Sequence, residues 1–406
     1  MKLKQWLFRR ASRSGDRAVG IVETKYFSFV DGLRGLAILI VLVFHAAWAC
    51  PWPLTSPAAQ RLVFAGERGV DLFFIVSAFT LFSSSLQRFP NERHPFRNFY
   101  VRRAFRILPL WWLSLAFYCL VPDTAIMLGG ARGVTTEVPS LGPLLLRASF
   151  LFGFFPHLTK SSLNPGGWSL FVEETFYLFL PLIVARVRSL DTAVRLLFGL
   201  LALSITWHYV GMAWLGHTPT GSNFVGWFPF FRWYAFAIGI ILFFIFSRWG
   251  SGLIPASLTW TLDVMAGLFY LVASQAESGG LAFFGGTFAL GLLVLSCSQS
   301  ASLWRLVLDT APMRLLGRCS YSIYLFHIAI RDALQGPVLD FFQRSGIATH
   351  PNLALPIWSG ILIASSLAFG VVSFTLLEKP LVRLGKAVIA HLEGGPSLAR
   401  AEVNRH

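Results

Sequence analysis

The stretch LRGLAILIVLVFHAAWAC, residues 33–50, is apolar at nearly every position but breaks that pattern at Arg34 and His45. As an α-helix it is about 27 Å long, close to the thickness of a bilayer's hydrocarbon core. The spacing predicts a membrane span that starts at Arg34 and carries a histidine to mid-bilayer. Eleven helical steps return to within about 20° of the start, so both side chains fall on one face about 16 Å apart. Ionisable groups inside a bilayer cost about 3 kcal/mol or more on insertion scales, and they face protein or a water-filled cavity. A snorkelling arginine and a histidine hydrogen-bonded between helices satisfy the same pattern, so the pair alone assigns no chemistry.

The rest of the chain has the same character. Of its 406 residues 55% are hydrophobic, 15% aromatic and only 13% charged, with a mean hydropathy of +0.62. That usage predicts an all-α, polytopic membrane helical bundle. A nucleic-acid role would need the net charge of +15 gathered on a soluble module, and none is visible, so no nucleic-acid partner is expected. Cys50, Cys119, Cys297 and Cys319 are far apart, with no metal-ligand spacing, and read as core thiols; no metal is expected. The first thirty residues are basic and polar, without the apolar region and cleavage site of a removed signal peptide.

Hydropathy predicts about ten transmembrane helices, near residues 33–50, 67–87, 104–121, 168–186, 196–215, 227–247, 252–273, 279–298, 319–336 and 353–377. Residues 142–157, LGPLLLRASFLFGFFP, are shorter, contain Arg147 and are bounded by prolines, which suits a re-entrant or interfacial segment. Charge decides the arrangement. With ten spans and a cytoplasmic N-terminus, 25 of the 34 Lys and Arg fall inside and only Arg61, Arg132, Lys160 and Arg344 outside, the asymmetry that the positive-inside rule requires. A crossing at 142–157 would send the basic residues that follow it to the outer face. The expected organisation is a basic cytoplasmic segment at 1–26, a membrane domain at 27–385 and a cytoplasmic tail at 386–406. Neither an internal repeat nor a pair of interrupted helices in matching halves, as transporters show, is evident.

Polar groups recur where lipid would exclude them. FRNFYVRRAFRILP, residues 96–109, carries Arg102, Arg103 and Arg106. Arg102 and Arg106 lie one turn apart, with Arg103 offset, a set able to grip phosphates through bidentate hydrogen bonds, although charge at a membrane border also sets topology. Glu67 and Asp71 are four apart near the outer end of the second span, beside Arg68. Glu173 and Glu174 follow Trp168 and Ser169 in the fourth. His327 lies in the ninth behind Ser320 and Tyr324, and Glu378 closes the last. Singly each could be an interhelical hydrogen bond or ion pair; together they argue for a polar cavity.

In these residues the chain resembles the acyltransferase-3 family of integral-membrane O-acyltransferases. The resemblance covers roughly residues 27–385 and rests on an ordered series: DGLRG with Arg34 and His45, GVDLFFIVSAF, FYVRRAFRILP, NPGGWSLFVEETFYLFLP, GRCSYSIYLFHIAI and LLEKPLVRL. Ala78 stands where the family commonly has Gly, and Glu174-Thr175 where Glu-Gln is frequent. The resemblance implies transfer of an acyl group, usually acetyl, from cytoplasmic acetyl-coenzyme A as co-substrate to a hydroxyl of a cell-surface glycan, lipopolysaccharide or exopolysaccharide, or of a secondary metabolite. It implies an inner-membrane location and no permanently bound cofactor, and it marks Arg34 and His45 as the essential pair and Arg102–Arg106 as a second motif. Members that relay the group to an esterase-like domain carry that domain after the bundle; here about twenty-five residues follow LLEKP, so transfer is expected to finish in the bundle or on a separate partner.

Acyl transfer from a thioester needs a base for the incoming hydroxyl and stabilisation of an oxyanion. His45 is the expected base, or an acyl carrier, with Glu67, Asp71 or Glu173 as candidate orienting carboxylates that the sequence does not rank. Arg34, Arg102, Arg103 and Arg106 are expected to bind the donor. Glu67, Trp168, Ser169, Tyr324, His327 and Glu378 are expected to line the acceptor side. A transporter or flippase would also have ten spans and buried charges; it would bind no acetyl-coenzyme A.

Overall fold

The computed structural model describes residues 27–120, 140–159, 164–250, 254–277 and 280–394. The expected N-terminal segment 1–26, Arg132, Lys160 and the end of the tail lie outside the described residues. The described chain is helical, with no strand. Helix α1 (Ser28–Ala49) is followed by α2 (Pro57–Phe64), a 3-10 turn at Ala65–Arg68, and α3 (Gly69–Arg88). Next come α4 (Pro95–Leu120), α5 (Leu141–Ala148), α6 (Gly167–Arg186), α7 (Leu190–Leu215) and α8 (Pro219–Trp227). A helical turn at Pro229–Arg232 leads into α9 (Tyr234–Trp249), followed by α10 (Ala256–Gln275), α11 (Gly286–Cys297), a six-residue helical segment at Leu303–Leu308, α12 (Ala311–Arg318), α13 (Ser320–Arg344), α14 (Pro351–Ser373) and α15 (Lys379–Leu392).

Each predicted span overlaps a helix among the described residues, and seven helical stretches are long and apolar enough to cross a membrane. The three spans outside that set have identifiable reasons. The first turns of α4 carry arginines, α11 with its preceding π turn is short, at Leu281–Cys297, and α13 holds Tyr, His327, Arg331 and Asp332. Residues 142–157 form no crossing. Helix α5 has eight residues, about 12 Å, and ends where Phe150 takes a left-handed φ of 62°. Arg147 is buried and donates to the Leu158 carbonyl at 2.6 Å. Trp111 and Trp112 of α4 donate to the Arg147 and Ala148 carbonyls at 3.0 and 2.9 Å, so the segment is pinned to α4.

Burial separates an inner set of helices from a peripheral one. The most apolar window of α1 is 61% buried, against 11% for α7 and 22% for α10, so α7 and α10 give most of their surface to lipid. Apolar surface gains little by leaving lipid for protein, and close packing of small residues holds membrane helices together instead. Helix α1 shows this: it packs against α3, α12, α13 and α14. A Cβ on Gly35 would collide with the Met313 carbonyl, and one on Gly317 with the Asp31 carbonyl, so these two backbones touch only because both positions are glycine. The far end of α1 is held by Trp358 donating to the Ala46 carbonyl at 3.1 Å and Gln335 to Ala49 at 2.9 Å.

Two further contacts set the direction of the site helices. Trp111 lies against Gly167, while the Tyr100 hydroxyl donates to the Leu178 carbonyl at 2.8 Å, so α6 runs antiparallel to α4. The Tyr321 hydroxyl donates to the Ile107 carbonyl at 2.8 Å, and the Ala329 amide to the Tyr118 hydroxyl at 3.1 Å, so α13 runs parallel to α4.

Candidate active site

His45 meets His327. The Nδ1 of His45 lies 2.9 Å from the Val41 carbonyl one turn back and 3.3 Å from Nε2 of His327. His327 is fully buried, and its own Nδ1 lies 2.8 Å from the Tyr324 carbonyl. These distances assign the protons. A carbonyl only accepts, so His327 carries its proton on Nδ1 and leaves a lone pair on Nε2. The His45 Nδ1 then faces two acceptors and must carry its ring's proton. What remains is Nε2 of His45 with its lone pair, a proton acceptor whose tautomer is set by its neighbours.

The chain of contacts continues into α6. The Tyr324 hydroxyl is 2.6 Å from Ser169 Oγ and 3.2 Å from the Gly166 carbonyl. Trp168 stacks on Trp227 with centroids 5.4 Å apart, and the Arg232 guanidinium lies 5.6 Å from its ring. Three of the residues expected on the acceptor side, Ser169, Tyr324 and His327, thus fall in one continuous group with His45, while the Trp168 ring, next to Ser169 in the chain, lies against Trp227 and Arg232. Glu378 lies elsewhere, buried in a π turn at Phe374–Glu378 and accepting from Ser322 at 3.1 Å. Glu67 is exposed on the 3-10 turn.

The arginines divide between two environments. Arg102 makes a bidentate pair with Glu92 at 2.6 and 3.1 Å. Arg103 turns inward, its guanidinium 5.8 Å from the Tyr177 ring, and Tyr177 donates to Glu173. Arg34 donates to Thr80 Oγ1 at 3.3 Å and lies in electrostatic range of Arg106, Asp31, Tyr177 and Glu173. Arg34, Arg103 and Arg106 therefore form one inward-facing group, with Arg102 turned toward the loop before α4. The helical face shared by Arg102 and Arg106 did not determine this, because Glu92 lies outside the helix.

The carboxylates expected to orient His45 are engaged elsewhere. Asp71, 1% exposed, is 3.2 Å from Arg232 and 3.8 Å from Arg68, and it accepts from Thr287 at 2.6 Å. Glu173 is held by Tyr177, and Glu67 lies near Arg232. Val41 and His327 occupy the orienting position instead. The sequence pointed to His327 as a polar residue inside a span; nothing in its local pattern marked it as the partner of His45. Thr80, Glu92, Arg232 and Thr287 had no distinguishing local signal beyond, for Arg232, its place inside a span.

Residues 27–377 match the family described as an acyltransferase domain. The chain belongs to the acyltransferase-3 family. It is similar to the peptidoglycan O-acetyltransferase OatA of Listeria monocytogenes, with 26% identity over 388 residues that cover 89% of this chain and 56% of that protein. It is 22% identical to the O-acetyltransferase OatA of Staphylococcus aureus, over 91% of this chain and 59% of that one. BcsY of Komagataeibacter xylinus, provisionally named a membrane-bound transacylase, is 28% identical over 86% of this chain and 82% of its own. The chain thus spans little more than half the length of both OatA relatives. No solved structure matches it.

Proposed function

We propose that this chain is a membrane O-acyltransferase that moves an acetyl group from cytoplasmic acetyl-coenzyme A to a hydroxyl of a cell-surface glycan. The carrying observation is the His45–His327 contact at 3.3 Å, which leaves the lone pair on Nε2 of His45. Family membership and the O-acetyltransferase relatives, one of them acting on peptidoglycan, support the reaction class and the glycan acceptor.

The chemistry follows from that lone pair. His45 Nε2 takes the proton of the acceptor hydroxyl as its oxygen attacks the thioester carbonyl. The tetrahedral intermediate then breaks its carbon–sulfur bond, and the departing thiolate takes the proton back from His45. His327 stabilises the transient imidazolium by accepting from Nδ1. Arg34, Arg103 and Arg106 hold the anionic donor at the inner end of the bundle. Ser169, Tyr324 and Trp168 face the acceptor at the other end.

Isotope-labelled acetyl-coenzyme A supplied to inside-out membrane vesicles tests the reading: label should pass into the glycan fraction, and none should do so if the chain is a transporter. In the same assay Arg103→Ala with Arg106→Ala should weaken donor affinity at least tenfold, since each lost charge-assisted bond costs about 1.5–3 kcal/mol. Unchanged affinity would reduce the arginines to topogenic charge.

Donor and acceptor then enter from opposite faces, with both termini cytoplasmic in the inner membrane. The loop around α8 tests this, because ten spans put it outside. Thr218 caps α8 by accepting from Gly221 at 3.1 Å, so the exposed neighbour Thr220 is the better probe. With the four native cysteines replaced, Thr220→Cys should react with an impermeant maleimide added outside. Labelling only from the cytoplasmic side would overturn the two-sided arrangement.

A further inference from the structure

Helix α6 connects the two ends of the site. At one end Ser169 touches Tyr324, whose carbonyl binds His327, which meets His45. At the other, Tyr177 stands under Arg103. Glu174 lies between them, about 7.5 Å along the axis from Ser169 and about 4.5 Å from Tyr177. It is in electrostatic range of Arg103 on α4 and Tyr321 on α13. Tyr321, Tyr324 and His327 follow one another at three-residue spacing on α13, so successive turns of α13 reach from the neighbourhood of Glu174 to His45.

Glu174 differs from its neighbours in one respect. Glu173 accepts from Tyr177, but Oε1 of Glu174 is buried with no hydrogen-bond partner among the described residues. A buried polar atom left unsatisfied is costly and calls for an explanation. The proposed donor supplies one. Along coenzyme A the phosphates come first, then the two secondary amides of the pantetheine arm, then the sulfur. Along the site the arginines come first, then Glu174, then His45.

We propose that Glu174 accepts a hydrogen bond from a secondary amide N–H of the pantetheine arm and so fixes how far the thioester advances toward His45. This rests on coenzyme A being the donor. The arginines recognise the phosphates and Glu174 recognises the arm, so the two contacts can be separated by ligands that carry one and lack the other.

Calorimetry on the purified full-length protein in detergent provides the test, with coenzyme A and adenosine 3′,5′-bisphosphate, which lacks the arm, as probes. Glu174→Met should weaken coenzyme A binding by about tenfold or more while leaving the bisphosphate unchanged. Glu174→Gln, which keeps an acceptor oxygen, should recover part of the loss. Removing an unsatisfied buried carboxylate should not lower the melting temperature, so a folded Glu174→Met protein is expected. Coenzyme A affinity unchanged in that variant, or both ligands weakened equally, would overturn the assignment. Wild-type protein that binds coenzyme A through Glu174 yet transfers no acetyl would sink the proposed reaction and leave this contact standing. Absence of coenzyme A binding would sink both.

Discussion

His45→Ala should leave an inserted, folded protein whose acetyl transfer falls by about two to four orders of magnitude, the usual contribution of a positioned general base. The motive is structural: Nε2 of His45 is the lone pair that Val41 and His327 leave available. Folding should survive, because His45 is only partly buried and sits between packed neighbours Leu42 and Ala46 that hold α1 in place. His327→Ala should cost less than His45→Ala, since it removes the tautomer's partner and keeps the base, with the loss in kcat and little change in donor KM. Incorporation of labelled acetyl into glycan by membranes of each variant, normalised to protein inserted, is the measurement. Transfer near the wild-type level in His45→Ala would remove the histidine from the chemistry.

Asp71→Ala is expected to act on the fold. The carboxylate is 1% exposed and Arg232 12% exposed in their pair at 3.2 Å, with Arg68 alongside at 3.8 Å. Deleting the acid takes from two guanidinium groups the carboxylate they pair with, leaving only the exposed Glu67 nearby, and leaves Thr287 without its acceptor. Breaking one side of a buried pair costs about 3–5 kcal/mol, a large share of the roughly 5–15 kcal/mol margin of an ordinary domain. The variant should show a large fall in melting temperature and in detergent-stable yield. Asp71→Ala combined with Arg232→Ala should recover part of it. An Asp71→Ala protein with wild-type melting temperature and no acetyl transfer would return Asp71 to the catalytic group.

Much of the architecture is legible residue by residue. Hydropathy sums along the chain, so residues 33–50 announce a span in isolation, and the prolines around residues 142–157 with Arg147 between them announce a segment that turns back. The same holds for the candidates: a histidine and an arginine inside one apolar helix, or Trp168, Ser169 and Glu173 within a single turn or two, stand out because lipid excludes such groups. Order along the chain also carries the family resemblance, which the match over residues 27–377 bears out.

Partnership is another matter, because it depends on which helices are neighbours and how each is rotated. His45 and His327 are 282 positions apart, and their contact follows from the packing of α1 against α13 and α14, tightened by backbones that meet at Gly35 and Gly317. Arg102 and Arg106 share a helical face in the sequence, yet Glu92, ten positions before Arg102, draws one of them away. Asp71 looked like any other intramembrane acid until α9 and its preceding turn brought Arg232 to it across 161 positions. Local composition therefore determined that there are spans and that certain polar groups lie within them. Tertiary packing decided which of those groups are neutralised by one another and which, like His45 Nε2 and Glu174, keep an atom unshared among the described residues.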